Sequence, residues 1–197
     1  MAVAKAKQLR HPFSLTSVRS LRLGDRVLVS GLVATGRDRL HRHLYDSGTC
    51  PVDLHNGAIY HCGPSVVRNN GQWILKAAGP TTSIREEPYM PKIIAKHGLR
   101  VIIGKGGMGP DTQKACREHG CVYLNAVGGA AQILAASVRE IRNVHFLKEF
   151  GPAEACWEFV IQDLPAVVTI DARGRSLHKK IADLSRRNLK KLLTRKF

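Results

Sequence analysis

The chain has 197 residues, enough for one domain with a real core, and 44% of them are hydrophobic. Thirty-one Lys and Arg against fifteen Asp and Glu give a net charge of +16, which favours an anionic partner: nucleic acid, membrane surface, acidic protein or acidic small molecule. The five cysteines, Cys50, Cys62, Cys116, Cys121 and Cys156, are odd in number and unpaired in spacing, which argues against a disulfide framework, and no apolar run approaches the ~20 residues of a membrane span.

The N-terminus lacks the apolar stretch and cleavage site of a secretory signal, so a soluble chain in a reducing, cytoplasmic compartment is expected. The basic, acid-free first ten residues leave an organelle-targeting segment open. After a turn at Gly24-Asp25, Arg26 to Val33 reads as a strand rich in branched residues. Arg37 to Leu44 is polar and opens a helix. Ala58 to Cys62 and Trp73 to Ala78 read as short strands, each stopped by Gly-Pro. Met90 to Lys96 reads as a helix with Gly98 at its stop, and Leu99 to Ile103 as a buried strand. Pro110 starts a second helix ended by Gly120, Cys121 to Ala126 is a strand, and Gly128-Gly129 leads into a third helix through about Ile141. Strand, glycine loop and helix, twice over, predict an α/β unit with a parallel pair. Trp157 to Ile161 and Ala166 to Ile170 read as two further strands. From Ser176, Leu177, Ile181 and Leu184 fall at helical spacing among basic residues. The expectation is a single compact α/β domain over residues 21–174, preceded by an N-terminal extension (1–20) and followed by a basic helical tail (175–197).

Three segments combine glycine, hydroxyl or cation at the ends of predicted strands. In Arg37 to His41, Arg37 and His41 share a helical face, so Arg37 either forks onto a carboxylate with His41 in support, or the segment is a solvated helix start with Asp38 near its positive end. Gly79 to Arg85 turns sharply at Gly-Pro, then presents Thr81, Thr82, Ser83 and Arg85. It is either an anion site or a helix N-cap. Gly104 to Met108 lets backbone approach a ligand closely, with Lys105 as a point charge and Gly106 beside it, or is simply a tight turn. It is not a phosphate-binding P-loop, since GxxxxGK[ST] is absent. His41 with His43, and Cys116 with Cys121, lack the further ligands a metal site needs.

In order and wording these segments resemble the C-terminal domain, or separate β subunit, of class I fumarases and L-tartrate dehydratases. The resemblance runs from about Leu21 to Gly174 and rests chiefly on Gly-Pro-Thr-Thr-Ser-x-Arg and Gly-Lys-Gly-Gly-Met. It implies a swivelling β/β/α domain that closes over a substrate site. It also implies a partner α subunit holding a 4Fe-4S cluster, with none of this chain's cysteines as ligands, and it leaves open the pairing of two such heterodimers. By the same resemblance Arg37, Arg85 and Lys105 hold the two carboxylates of a dicarboxylate, with Thr82, Ser83 and Gly106 lining the site. Thr81 matches a proton-transfer residue, with Asp38 and His41 aligning Arg37. The implied reaction is reversible hydration of fumarate to L-malate, or the equivalent on tartrate or mesaconate. Glu86-Glu87 stand where the family pattern leads one to expect methionine and a further polar residue. The alternative of another class is a basic nucleic-acid-binding module, which the charge motivates but for which no motif is present.

Overall fold

The computed structural model describes residues 5–47 and 49–194; Arg195 and Lys196 of the expected tail lie outside them. The elements in chain order are β1 (Lys7–Arg10), α1 (Leu15–Ser20), β2 (Arg26–Gly36), α2 (Asp38–Asp46), β3 (Ala58–His61), β4 (Ser65–Asn69), β5 (Gln72–Ala77), a 3-10 turn (Ser83–Glu86), α3 (Met90–His97), β6 (Val101–Gly104), α4 (Pro110–His119), β7 (Val122–Asn125), α5 (Ala131–Ala135), β8 (Val138–His145), α6 (Leu147–Phe150), β9 (Cys156–Ile170) and α7 (Leu177–Leu193).

Strands β2, β3, β6 and β7 pair in parallel in that order. β9 runs antiparallel to both β7 and β2 and so closes a five-stranded barrel. The expected parallel pair is β6 and β7, joined by α4. Closure works because β6 and its neighbours are apolar on both faces. Val101 and Ile103 point into the barrel with Tyr60, Val122, Leu124, Trp157 and Phe159. Ile102 points outward with Ile59 and Tyr123 to meet Leu40, Ile93, Ile94 and Cys116 of α2, α3 and α4. Residues 5–20, within the stretch expected as an extension, supply β1 and α1 and bury Leu9, Phe13 and Val18 in the barrel core.

Two expectations need correction. The helix expected to run through Ile141 stops at Ala135, and Val138–His145 is strand β8, antiparallel to β9. The two strands expected after Trp157 are one, the 15-residue β9. It stays continuous where Asp163 turns to φ 54°, because the Asp163 N–H donates to Ser30 Oγ at 2.9 Å. The hairpin of β4 and β5, of which only the second strand was expected, lays Trp73 edge-on against Trp157 with centroids 5.1 Å apart. α7 starts at a Ser176 cap and leaves Ile181, Leu184, Leu189 and Leu192 exposed.

α4 takes its N-terminal cap from another segment. The Glu87 carboxylate accepts from the backbone N–H groups of Gly109, Asp111 and Thr112 at 2.7–3.0 Å and from the Thr112 hydroxyl at 2.7 Å. These are the free amides a helix start must satisfy, and a negative charge suits the positive end of its dipole. A Cβ on Gly109 would sit 2.6 Å from that carboxylate, so glycine there makes the approach possible. Glu87→Ala should lower stability by about 2–3 kcal/mol, read as a lower urea midpoint at constant slope, and Glu87→Gln by less. An unchanged midpoint would remove Glu87 from this role.

Candidate active site

Because β2, β3, β6 and β7 are parallel, their carboxyl ends open on one rim of the barrel. That is where open α/β sheets commonly place ligands. Arg37 follows β2, Cys62 follows β3 and Lys105 follows β6. The segment after β5 crosses the same rim. The Thr81 N–H donates to the His61 carbonyl at 2.7 Å, the Lys105 N–H to the Thr81 carbonyl at 3.3 Å, and the Ser83 N–H to the Lys105 carbonyl at 3.0 Å. The three segments singled out in the sequence therefore meet at one place.

Three cations reach this rim. Arg37 precedes α2, with its Nε 3.4 Å from a Glu154 carboxylate oxygen and without a hydrogen-bond partner among the described residues. A Cβ on Gly63 would lie 2.7 Å from the Arg37 Cδ, so Gly63 clears its path. Arg85 pairs with Asp38 at 2.7 Å, and both side chains are nearly half exposed. Lys105 is half-buried, its stem beside Gly128. β2 and β6 flank β3, so the chains leading to Arg37 and Lys105 leave the sheet roughly 10 Å apart, a spacing that a four-carbon diacid can address from both ends.

The hydroxyls divide. Thr82 is exposed, and Thr81 is half-buried, donating to the His61 carbonyl at 3.2 Å. Ser83, expected among the ligand-facing hydroxyls, is fully buried between His61 Nδ1 and the Tyr123 hydroxyl, each at 2.9 Å. Gly106 is exposed at φ 81°, and its N–H donates to Asn125 Oδ1 at 3.2 Å. His41 is buried, with Nδ1 2.8 Å from the Arg37 carbonyl, so its N–H donates there and fixes the backbone that carries Arg37.

Beneath the cations lies a polar layer with little sequence signal. The rings of His41 and His61 meet edge to face at 4.8 Å. Burial pushes the His41 imidazole down to about 4 and, with His41 beside it, takes His61 well below the usual range, so both rings are neutral. Glu86 is fully buried, its Oε2 3.5 Å from His41 Nδ1. Burial, reinforced by Asp38, pushes its carboxyl up to about 8. The sequence marks Glu86 only as a departure from a pattern; the 3-10 turn alone sends Arg85 outward and Glu86 inward.

No three His, Cys, Asp or Glu side chains converge as a metal-binding group among the described residues. Cys62 and Cys156 are buried with their thiols pushed well up, the reverse of the thiolate an iron–sulfur cluster requires. These residues do not fit a cluster.

The sequence matches the family described as Fumarase C-terminus over residues 3–181. A Geobacillus stearothermophilus protein provisionally named a class I fumarate hydratase is 49% identical over 185 residues, which are 93% of this chain and 35% of that protein. The chain thus spans about a third of that relative's length. A Methanocaldococcus jannaschii protein provisionally named L(+)-tartrate dehydratase subunit beta is 36% identical over 169 residues, 83% of this chain and 87% of its own length. The L(+)-tartrate dehydratase subunit beta of Escherichia coli K12 is 35% identical over 173 residues, 87% and 86% of the two chains.

The buried titratable groups set opposing pH slopes. His41 and His61 are depressed in the fold, so the stability they carry is present above about pH 6.5 and is lost as pH falls, for His41 through about 4. Glu86 is raised, so its contribution is present below about pH 4.5 and is lost as pH rises toward 8. Two histidines outweigh one glutamate on the acid side. Urea denaturation from pH 4.5 to 9 should therefore show a maximum at about pH 6.5. A monotonic curve would contradict the assignment.

Proposed function

The chain belongs to the Fumarase C-terminus family, and on that premise we propose that it is the cluster-free half of a two-part iron–sulfur hydro-lyase acting on a dicarboxylate. The observation that carries this reading is the convergence of Arg37, Arg85 and Lys105 at one barrel rim. Planar guanidinium forks suit carboxylates, and a diacid needs a cation at each end. The rim sits on the barrel surface, with Arg85 and Asp38 nearly half exposed, which suits a site completed by a second polypeptide. That polypeptide supplies the 4Fe-4S cluster, and the barrel closes over it as a swivelling β/β/α domain.

In this reading Arg37 and Arg85 exchange their internal carboxylates, Glu154 and Asp38, for those of the substrate, while Lys105 neutralises the far end. Thr81 stands at the same rim for proton transfer at the substrate carbon. A hydroxyl is a weak base, and Thr81 already donates to a carbonyl, so it needs a relay completed by substrate or partner. Thr82 and the Gly106 backbone line the site. Fumarate is the substrate favoured by the 49% relative. Tartrate is the second reading, favoured by relatives whose whole length this chain nearly spans.

The test is co-expression with a cluster-bearing partner and anaerobic assay on fumarate, L-tartrate and mesaconate. Arg85→Ala in a verified complex should cost about 2–5 kcal/mol in kcat/KM, much of it from the substrate carboxylate left unpaired. Unchanged kcat/KM would overturn the placement of the clamp.

A further inference from the structure

Glu86 is fully buried although the two residues before it, Ile84 and Arg85, are exposed. Neither of its oxygens accepts a hydrogen bond from any donor among the described residues. An ionised carboxylate in that position would be left without a partner, at a cost of several kcal/mol. His41 does not remedy this, since its Nδ1 proton is directed at the Arg37 carbonyl at 2.8 Å and lies 3.5 Å from Glu86. What does lie within hydrogen-bonding reach is a second carboxyl, Asp38 of α2. Asp38 is partly exposed and paired with Arg85 at 2.7 Å, so it is the member of the pair that keeps its charge. Two adjacent carboxyls without a cation between them share a single proton.

We propose that Glu86 is a positioning residue: as a neutral acid it donates its proton to Asp38, and so holds Asp38 against Arg85 in the orientation from which Arg85 meets an anion. The other charged or titratable groups facing it are His41 of α2, Arg85 of its own turn and Glu154 ahead of β9. With Glu86 neutral, Arg37 and Glu154, and Arg85 and Asp38, form two balanced pairs and Lys105 is surplus. Loss of the Glu86 proton turns a hydrogen bond into a repulsion and cancels that surplus. Burial and the Asp38 charge raise the Glu86 carboxyl to about 8, which places the transition within the working range of an enzyme. The anion assigned to Arg85 rests on the proposed function above; the shared proton does not.

The experiment has two arms. In the full chain labelled with carboxyl-13C glutamate, one resonance, removed by Glu86→Gln, should titrate near pH 8 rather than at the ~4.3 of a free glutamate. Asp38→Asn should bring that midpoint down by a unit or more. A Glu86 that titrates with the bulk, or that is indifferent to Asp38→Asn, overturns proton sharing. In the assembled enzyme, KM for fumarate should rise about tenfold between pH 7 and 9, with kcat changing less, as one charge appears near the anion. Glu86→Gln, whose amide still donates, should flatten that rise, and Glu86→Ala should raise KM throughout. A Glu86→Gln enzyme that keeps the alkaline rise overturns the positioning role. If neither fumarate nor tartrate is turned over, the proposed function fails while the carbon titration still decides the proton.

Discussion

The close crossing of Ser83 over Gly104 is the contact on which the site depends. A Cβ on Gly104 would run into the Ser83 hydroxyl and lie 3.0 Å from that of Tyr123. Only a residue without a side chain lets the rim-crossing segment settle on the end of β6. Once there, the Ser83 N–H bonds to the Lys105 carbonyl, and its hydroxyl is fixed between His61 and Tyr123. The Tyr123 hydroxyl is the donor in that bond, and burial pushes it up to about 12. From this anchor the 3-10 turn has one direction to take, and it distributes three consecutive side chains. Arg85 goes out to Asp38, Glu86 goes under to the histidine layer, and Glu87 reaches back to cap α4. Capping α4 in turn fixes the far end of the loop that begins at Lys105. One steric permission thus couples two of the three cations and the helix behind them.

Much of this was legible in the sequence where local chemistry and tertiary context agree. The run Leu99 to Ile103 is apolar at every position, as a strand buried on both faces must be, and glycine after it marks a close approach. Gly98 and Gly120 end helices in the left-handed conformation their position suggests, at φ 63° and 70°. Arg37 and Lys105 each follow a strand end, so their placement on one rim follows once those strands are parallel, whereas Arg85 comes from beyond the antiparallel β5 and joins them only through the crossing segment.

The misreadings have particular causes. In β8 the apolar residues Val138, Ile141 and Val144 recur every third position, which imitates a helix. The strand carries register shifts between Val138 and Glu140 and between Ile141 and Asn143. Each extra residue delays the return of the apolar face by one, and a period of two becomes a period of three. In β9 the Gln162 to Pro165 stretch looks like a break. It is bridged by the side chain of Ser30, on a strand 133 residues earlier in the chain. The burial of Ser83 and Glu86 had no sequence signal for a related reason. What surrounds a buried polar residue arrives from distant segments, Tyr123 for Ser83 and His41 for Glu86, and local sequence does not announce it.

The charge of the chain also changes meaning at the site. A surplus of +16 suggested a strongly positive binding surface, yet the rim is close to neutral. Arg37 faces Glu154 and Arg85 faces Asp38, which leaves Lys105 as the unbalanced cation of the three. Much of the surplus lies along α7, where Lys179, Lys180, Arg186, Arg187, Lys190 and Lys191 are offset by Asp183 alone. Pairing the clamps with internal carboxylates serves a purpose that free cations would not. An unpaired arginine at a half-buried rim is costly and mobile, whereas one held by a partly exposed carboxylate is already oriented and discharged. On the proposed function, an incoming diacid replaces one carboxylate with another, at similar geometry and little net change in charge. Discrimination then falls to whatever holds the guanidinium planes in place. That work is done by the neutral layer underneath, which is why a buried acid and two uncharged imidazoles belong in a site built for anions.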